Sequence, residues 1–73
     1  MIDLVVINYA SAAKSLAAIA SARRALRGLL DRVIVVENGT GEADQFRKAD
    51  LEVLEFAENR GYAGGVNAGM NAT

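Results

Sequence analysis

Residues 2–8 read IDLVVIN, and within them Leu4 to Ile7 are continuously apolar and mostly β-branched. A run this short and this branched suits a strand buried on both faces. The next twenty-one residues decide the fold. Residues 10–30, ASAAKSLAAIASARRALRGLL, carry no hairpin turn. Ser11 is an N-cap candidate, and Ala12, Leu16, Ile19, Leu26 and Leu30 recur at helical spacing, so a helix is expected to about Arg27, with Gly28 loosening its end. Its many alanines point to close packing on a sheet. Arg23 falls beside the apolar stripe; its stem is expected to lie along the sheet with the guanidinium in water.

The same alternation repeats downstream. Arg32 to Glu37, RVIVVE, reads as a second buried strand, Asn38-Gly39-Thr40-Gly41 as a turn, and Glu42 to Ala49 as a short polar helix. Leu51 to Phe56, LEVLEF, is a third strand whose Glu52 and Glu55 suit a sheet edge. A last helix is expected from about Tyr62 to Asn71. Strand, helix, strand, helix, strand, helix gives an α/β, Rossmann-like parallel sheet in one unit without a linker. No strand in the sequence is left to cover the far side of strand one if strand two lies beside it. The expectation is a part of a larger sheet, or a unit that completes itself as a homodimer through the exposed edge.

Composition narrows the chemistry. The 73 residues hold eight basic and nine acidic side chains, a net charge of −1, which argues against a general nucleic-acid binder. Cysteine and histidine are both absent, which removes disulfides, thiol catalysis, histidine bases and the common zinc sites. The apolar run at the N-terminus is too short to span a bilayer and has no basic leader, so the expected location is cytoplasmic, or peripheral to a membrane. On that ground the Asn38-Gly39-Thr40 and Asn71-Ala72-Thr73 sequons read as accidental.

Residues 58–71, ENRGYAGGVNAGMN, hold four glycines between positions 61 and 69. They fit neither G-x-G-x-x-G nor G-x-x-x-x-G-K-[ST]. Two readings remain open and are compatible. Small residues four apart let a helix sit close to a strand. Alternatively, glycines at a helix N-terminus, past the carboxyl end of a parallel strand, let a ligand approach backbone N–H groups. Asn8-Tyr9 and Glu37-Asn38 end the other two strands on the same rim as Asn59-Arg60-Gly61. There a tyrosine ring can cover a base, a carboxylate can accept from ribose, and an arginine can meet phosphate. Each also has a plain alternative: Tyr9 covering the sheet end, Glu37 as a solvated strand terminus, Arg60 paired with Glu58.

The stretches VVINYASAAKSL, VIVVENGTGEAD and ENRGYAGGVNAGMNA, in this order, resemble the start of family 2 glycosyltransferases of the rhamnosyltransferase-like kind. There the corresponding patterns run V-I-V-N-Y-N, V-V-D-N-x-S and N-x-G-[FY]-A-G-G-x-N-x-G. The resemblance spans nearly the whole chain and implies the N-terminal, nucleotide-sugar-binding part of a GT-A domain over residues 1–73. It implies a nucleoside diphosphate sugar as ligand, with Asn8 and Tyr9 beside the nucleotide and Glu37 in the place of the family's aspartate. Asn59, Arg60, Gly61, Gly64 and Gly65 would form the wall near the diphosphate.

The departures are specific. Glu37 is one methylene longer than aspartate, and Ala10 stands where asparagine is frequent. The family's metal-binding Asp-x-Asp motif, for Mg²⁺ or Mn²⁺, does not occur, and no D-x-E or E-x-D pair falls on a predicted rim. The expectation is therefore a chain that binds the donor nucleotide of an inverting transferase without transferring sugar. The rival expectation is a non-catalytic α/β binding or self-association module.

Overall fold

The computed structural model describes residues 2–59 and 61–72, without the side chains of residues 62 and 63. Its elements run β1 (Ile2–Asn8), α1 (Ala12–Ala25), β2 (Leu30–Asn38), α2 (Ala43–Arg47), β3 (Glu52–Phe56) and α3 (Gly61–Ala72). The fold is α/β, with all three strands parallel in the order β1-β2-β3. The central strand is β2, and it is also the one whose residues from Ile34 to Asn38 are all buried. The glutamate-bearing strand, β3, lies at an edge as its sequence suggests.

Strand alternation sends side chains to two faces. Leu4, Val6, Val33, Val35 and Val53 pack with Ala12, Leu16 and Ile19 of α1 and with Phe46 and Leu51 around α2. The opposite face carries Val5, Ile7, Ile34 and Val36 beneath α3. That helix approaches closely because Gly65 and Gly69 lie against the sheet. A methyl group on Gly69 would collide with Val5 and sit 3.3 Å from Val36, and one on Gly65 would meet Ile7 at 3.2 Å.

Element ends differ from expectation for local reasons. The first helix stops at Ala25, the chain turns through Gly28 at φ +83°, and Leu30 opens β2 instead of extending the apolar stripe. Ser11 occupies the N-cap position but its hydroxyl caps no helix N–H; it donates to Asn8 Oδ1 at 3.5 Å. The short α2 closes with a Schellman arrangement. Leu51 N–H reaches Phe46 C=O at 3.2 Å and Asp50 N–H reaches Arg47 C=O at 3.0 Å, with Asp50 at φ +59°. The apolar contact that accompanies such a cap is supplied by Phe46 and Leu51.

Arg32 ties three elements at the amino end of the sheet. Its guanidinium pairs with Glu52 at 2.6 Å and donates to Ala72 C=O at 2.9 Å, near the end of α3. On the outer side of β3, Arg47 meets Glu55 at 3.2 Å. Both ion pairs are largely exposed and contribute little to stability; their charges do more to keep the β3 edge from accepting another strand. Among the described residues no helix is long and apolar enough to cross a membrane.

The α3 contact yields a test. Gly69→Ala places a methyl group into two stiff β-branched side chains and is expected to destabilise the fold by about 1–3 kcal/mol. Urea unfolding of the variant checks this, and the added Val5→Ala change should recover part of the loss.

Candidate functional site

The three strands end level with one another: Asn8 is in register with Glu37, Glu37 with Glu55, and Asn38 with Phe56. The segments 9–11, 39–42 and 57–59 therefore meet at one rim. Gly39 makes the meeting of the last two possible. It adopts φ +82°, and a side chain there would run into the backbone of Glu58 and Asn59, so only glycine fits. The Asn38 amide then reaches across to Gly61 C=O at 3.2 Å, and Asn59 Oδ1 accepts from Gly61 N–H at 2.6 Å. That local turn leads the chain into α3.

Below this rim sits a buried polar network. Asn8 and Glu37 are both 0% exposed. The Glu37 carboxylate accepts from Thr40 N–H at 3.1 Å, Gly41 N–H at 3.1 Å and Asn8 Nδ2 at 3.4 Å, and from the Thr40 hydroxyl. Asn8 Nδ2 also donates to Glu42 Oε1 at 2.8 Å, and Asn8 Oδ1 accepts from the Ser15 hydroxyl at 2.9 Å. Thr40 Oγ1 in turn accepts from Ala10 N–H at 3.2 Å. Burial alone would raise the Glu37 pKa; the bonds from Thr40, Asn8 and Gly41 outweigh it and hold the group below the ordinary glutamate value.

The sequence-predicted residues thus divide. Asn8 and Glu37 come together but point inward, in contact with each other. Tyr9 is 58% exposed at the mouth of the rim. Asn59 and Gly61 form the exposed turn before α3, Gly64 is half-buried, and Gly65 is buried with Ile7 and Asn38 nearest its open side. Arg60 lies outside the described residues.

Ser15, Thr40 and Glu42 belong to the network without having been expected there. Glu42 opens the E-x-D triplet 42–44 and reaches the rim after all, while Asp44 turns away to pair with Arg47 at 3.3 Å. The signal for Thr40 was its place three residues after Glu37, where a hydroxyl and an N–H can both return to the carboxylate.

A cleft of about 430 Å³ lies at the other, amino end of the strands, lined by Arg23, Arg27, Asp31, Arg32, Asp50 and Glu52 over Leu26, Leu30, Val33 and Leu51. Arg23 borders it and is exposed. The volume alone would make it the first candidate, but its lining balances three guanidinium groups against three carboxylates. Two of these already form the Arg32–Glu52 pair. It also lies at the wrong end for the strand-end residues.

A divalent cation does not fit the rim as it stands. The Glu37 oxygens are taken by hydrogen donors, and no group of three metal-ligating side chains occurs among the described residues. Comparison with protein-family models, with curated proteins and with solved structures finds no match.

Two outcomes test this geometry. Because Glu37 is held below its ordinary pKa, its stabilisation is full above the ordinary glutamate range, declines as pH falls beneath it, and is lost below the folded value. Glu37→Gln should lower stability at neutral pH by about 1–3 kcal/mol and flatten the acid limb of a urea-midpoint against pH curve. Ala10 holds φ +52°, which costs an L-residue with a side chain. Ala10→Gly should raise the urea midpoint, corresponding to about 0.5–1 kcal/mol.

Proposed function

We propose that the chain is the donor-nucleotide part of an inverting, family 2-like glycosyltransferase domain, binding a nucleoside diphosphate sugar at the carboxyl rim of its sheet. The observation that carries the reading is the convergence of three strand-end loops, fixed by the close approach of Gly39 to Glu58 and Asn59. That convergence brings the segments of the family resemblance to one place. In open parallel sheets this is the end where ligands bind.

The rim offers an aromatic surface at Tyr9 and the N-terminal turn of α3, whose N–H groups suit a diphosphate. In a complete transferase, an acceptor hydroxyl, its proton passing to a carboxylate base not assigned among these residues, would attack the anomeric carbon while the diphosphate leaves from the opposite face, inverting the configuration. A divalent cation would neutralise the leaving charge. Nothing at the rim is assigned to holding it, so the reading for these residues is binding and orientation of the donor.

One observation favours a second reading, a self-association module. The outer edge of β1 carries no charged side chain from Leu4 to Ile7, whereas β3 carries Glu52 and Glu55. An uncharged edge invites another strand.

Amide spectra of the ¹⁵N-labelled chain, titrated with UDP, dTDP, GDP and ADP in Mg²⁺, test both. Shifts confined to residues 8–10, 38–41 and 59–65 are expected for the donor reading, with a preference for one base. A dispersed spectrum that no nucleotide moves, together with a sedimentation mass that rises with concentration, would transfer the assignment to the association module.

A further inference from the structure

We infer that Glu37 is a positioning residue: it holds the β2–α2 loop from within and, through Thr40 and Ala10, sets the exposed ring of Tyr9, without touching a ligand itself. The inference rests on the nucleoside diphosphate reading for its ligand arms, and on geometry alone for the rest.

Both carboxylate oxygens are engaged. Oε2 accepts from Thr40 N–H and Gly41 N–H, each at 3.1 Å, while Oε1 faces the Thr40 hydroxyl and Asn8 Nδ2. With the residue fully buried, a ribose hydroxyl has no approach to it. The glutamate side chain reaches past the strand end to the amides of the turn.

A hydroxyl has one proton to donate. Thr40 spends it on Glu37, its closer carboxylate partner, since Glu42 Oε1 lies at 3.4 Å. The Thr40 lone pairs are then left for Ala10 N–H at 3.2 Å. Ala10 sits in the left-handed region, and such a conformation persists where its surroundings fix it. On the other side of Tyr9, Asn8 is fixed by Glu37, Glu42 and Ser15. Tyr9 is therefore an exposed residue between two anchored neighbours; Glu37 reaches both anchors, joined by Glu42, whose Oε1 accepts from Asn8 Nδ2 at 2.8 Å and lies 3.4 Å from Thr40 Oγ1. A backbone so held fixes where the ring leaves the chain, which favours its stacking on a planar base.

The test uses UDP and 2′-deoxy-UDP, each with Mg²⁺, and amide exchange on the full chain. For Glu37→Gln the expected result is faster exchange at Thr40 and Gly41 with Val35 and Val36 unchanged, and displaced Tyr9 resonances. Affinity for both probes should fall by a similar factor, on the order of tenfold. Loss of affinity for UDP alone, erasing any preference over 2′-deoxy-UDP, would mean direct contact with ribose and overturn the inference. Unchanged Thr40 and Gly41 amides would overturn it as well.

If Glu37→Gln does not fold, Thr40→Val breaks the relay while sparing the main-chain bonds. It should displace the Tyr9 and Ala10 resonances, and Thr40→Ser should restore them; an unmoved Tyr9 would refute the relay. Should the wild-type chain bind neither probe, the donor reading fails, while the exchange and Thr40 arms still decide whether Glu37 positions the loop.

Discussion

A carboxylate buried at the end of a central strand is costly unless hydrogen donors surround it. Glu37 sets that demand, and much of the rim is shaped by meeting it. The turn after β2 must fold back so that Thr40 and Gly41 present their N–H groups. Asn8 must turn its amide nitrogen inward, which leaves its oxygen for Ser15 and so fixes how the start of α1 sits on β1. The fold-back in turn places Gly39 against the chain after β3, where no side chain could be accommodated. A single buried charge thus links all three loops on one end of the sheet, and no buried polar side-chain atom among the described residues lacks a partner.

The two faces of the sheet solve their packing differently. Beneath α1 and α2 the space is filled by large side chains, with Phe46 and Ile19 fully enclosed. Beneath α3 it is filled by bringing the helix backbone down onto Val5, Val36 and Ile7, with glycine where any Cβ would intrude. A small domain has little interior to distribute, and close backbone contact builds a second face without a second set of bulky residues. The glycines at 65 and 69 therefore belong to packing in the first place, and those at 61 and 64 lie nearer the rim.

The sequence made the strands, the parallel order and the edge position of β3 legible because burial and charge are written residue by residue along each strand. It also brought the strand ends to one rim, since parallel strands linked by helices must end together. The state of Glu37 was not legible. As a glutamate closing a strand it could equally be solvated, and its partners Asn8 and Thr40 come from the end of β1 and from the loop after β2. Ala10 is similar: its left-handed backbone is imposed by the exit from β1 and the bond to Thr40. Asparagine would tolerate that conformation better than alanine does. Arg23, close to the helical stripe and yet charged, borders the amino-end cleft and is exposed.

The polarity of the fold gives the two ends different chemistry. At the amino end of the sheet the helices bring their C-termini, and Arg23 and Arg24 of α1 and Arg47 of α2 lie in last turns, where positive charge offsets the carbonyl ends. Of the arginines around the amino-end cleft, Arg23 thus answers a demand of its helix and Arg32 is paired with Glu52. At the carboxyl end the helices bring N–H groups, and there the protein already holds an anion of its own, since Glu37 occupies the Thr40 and Gly41 amides. A diphosphate arriving at this rim would find that seat taken and would have the first turn of α3 before it, beyond Asn59. The internal carboxylate would then divide the rim: Glu37 would fix the side that carries Tyr9, and the start of α3 would be left to receive the charge.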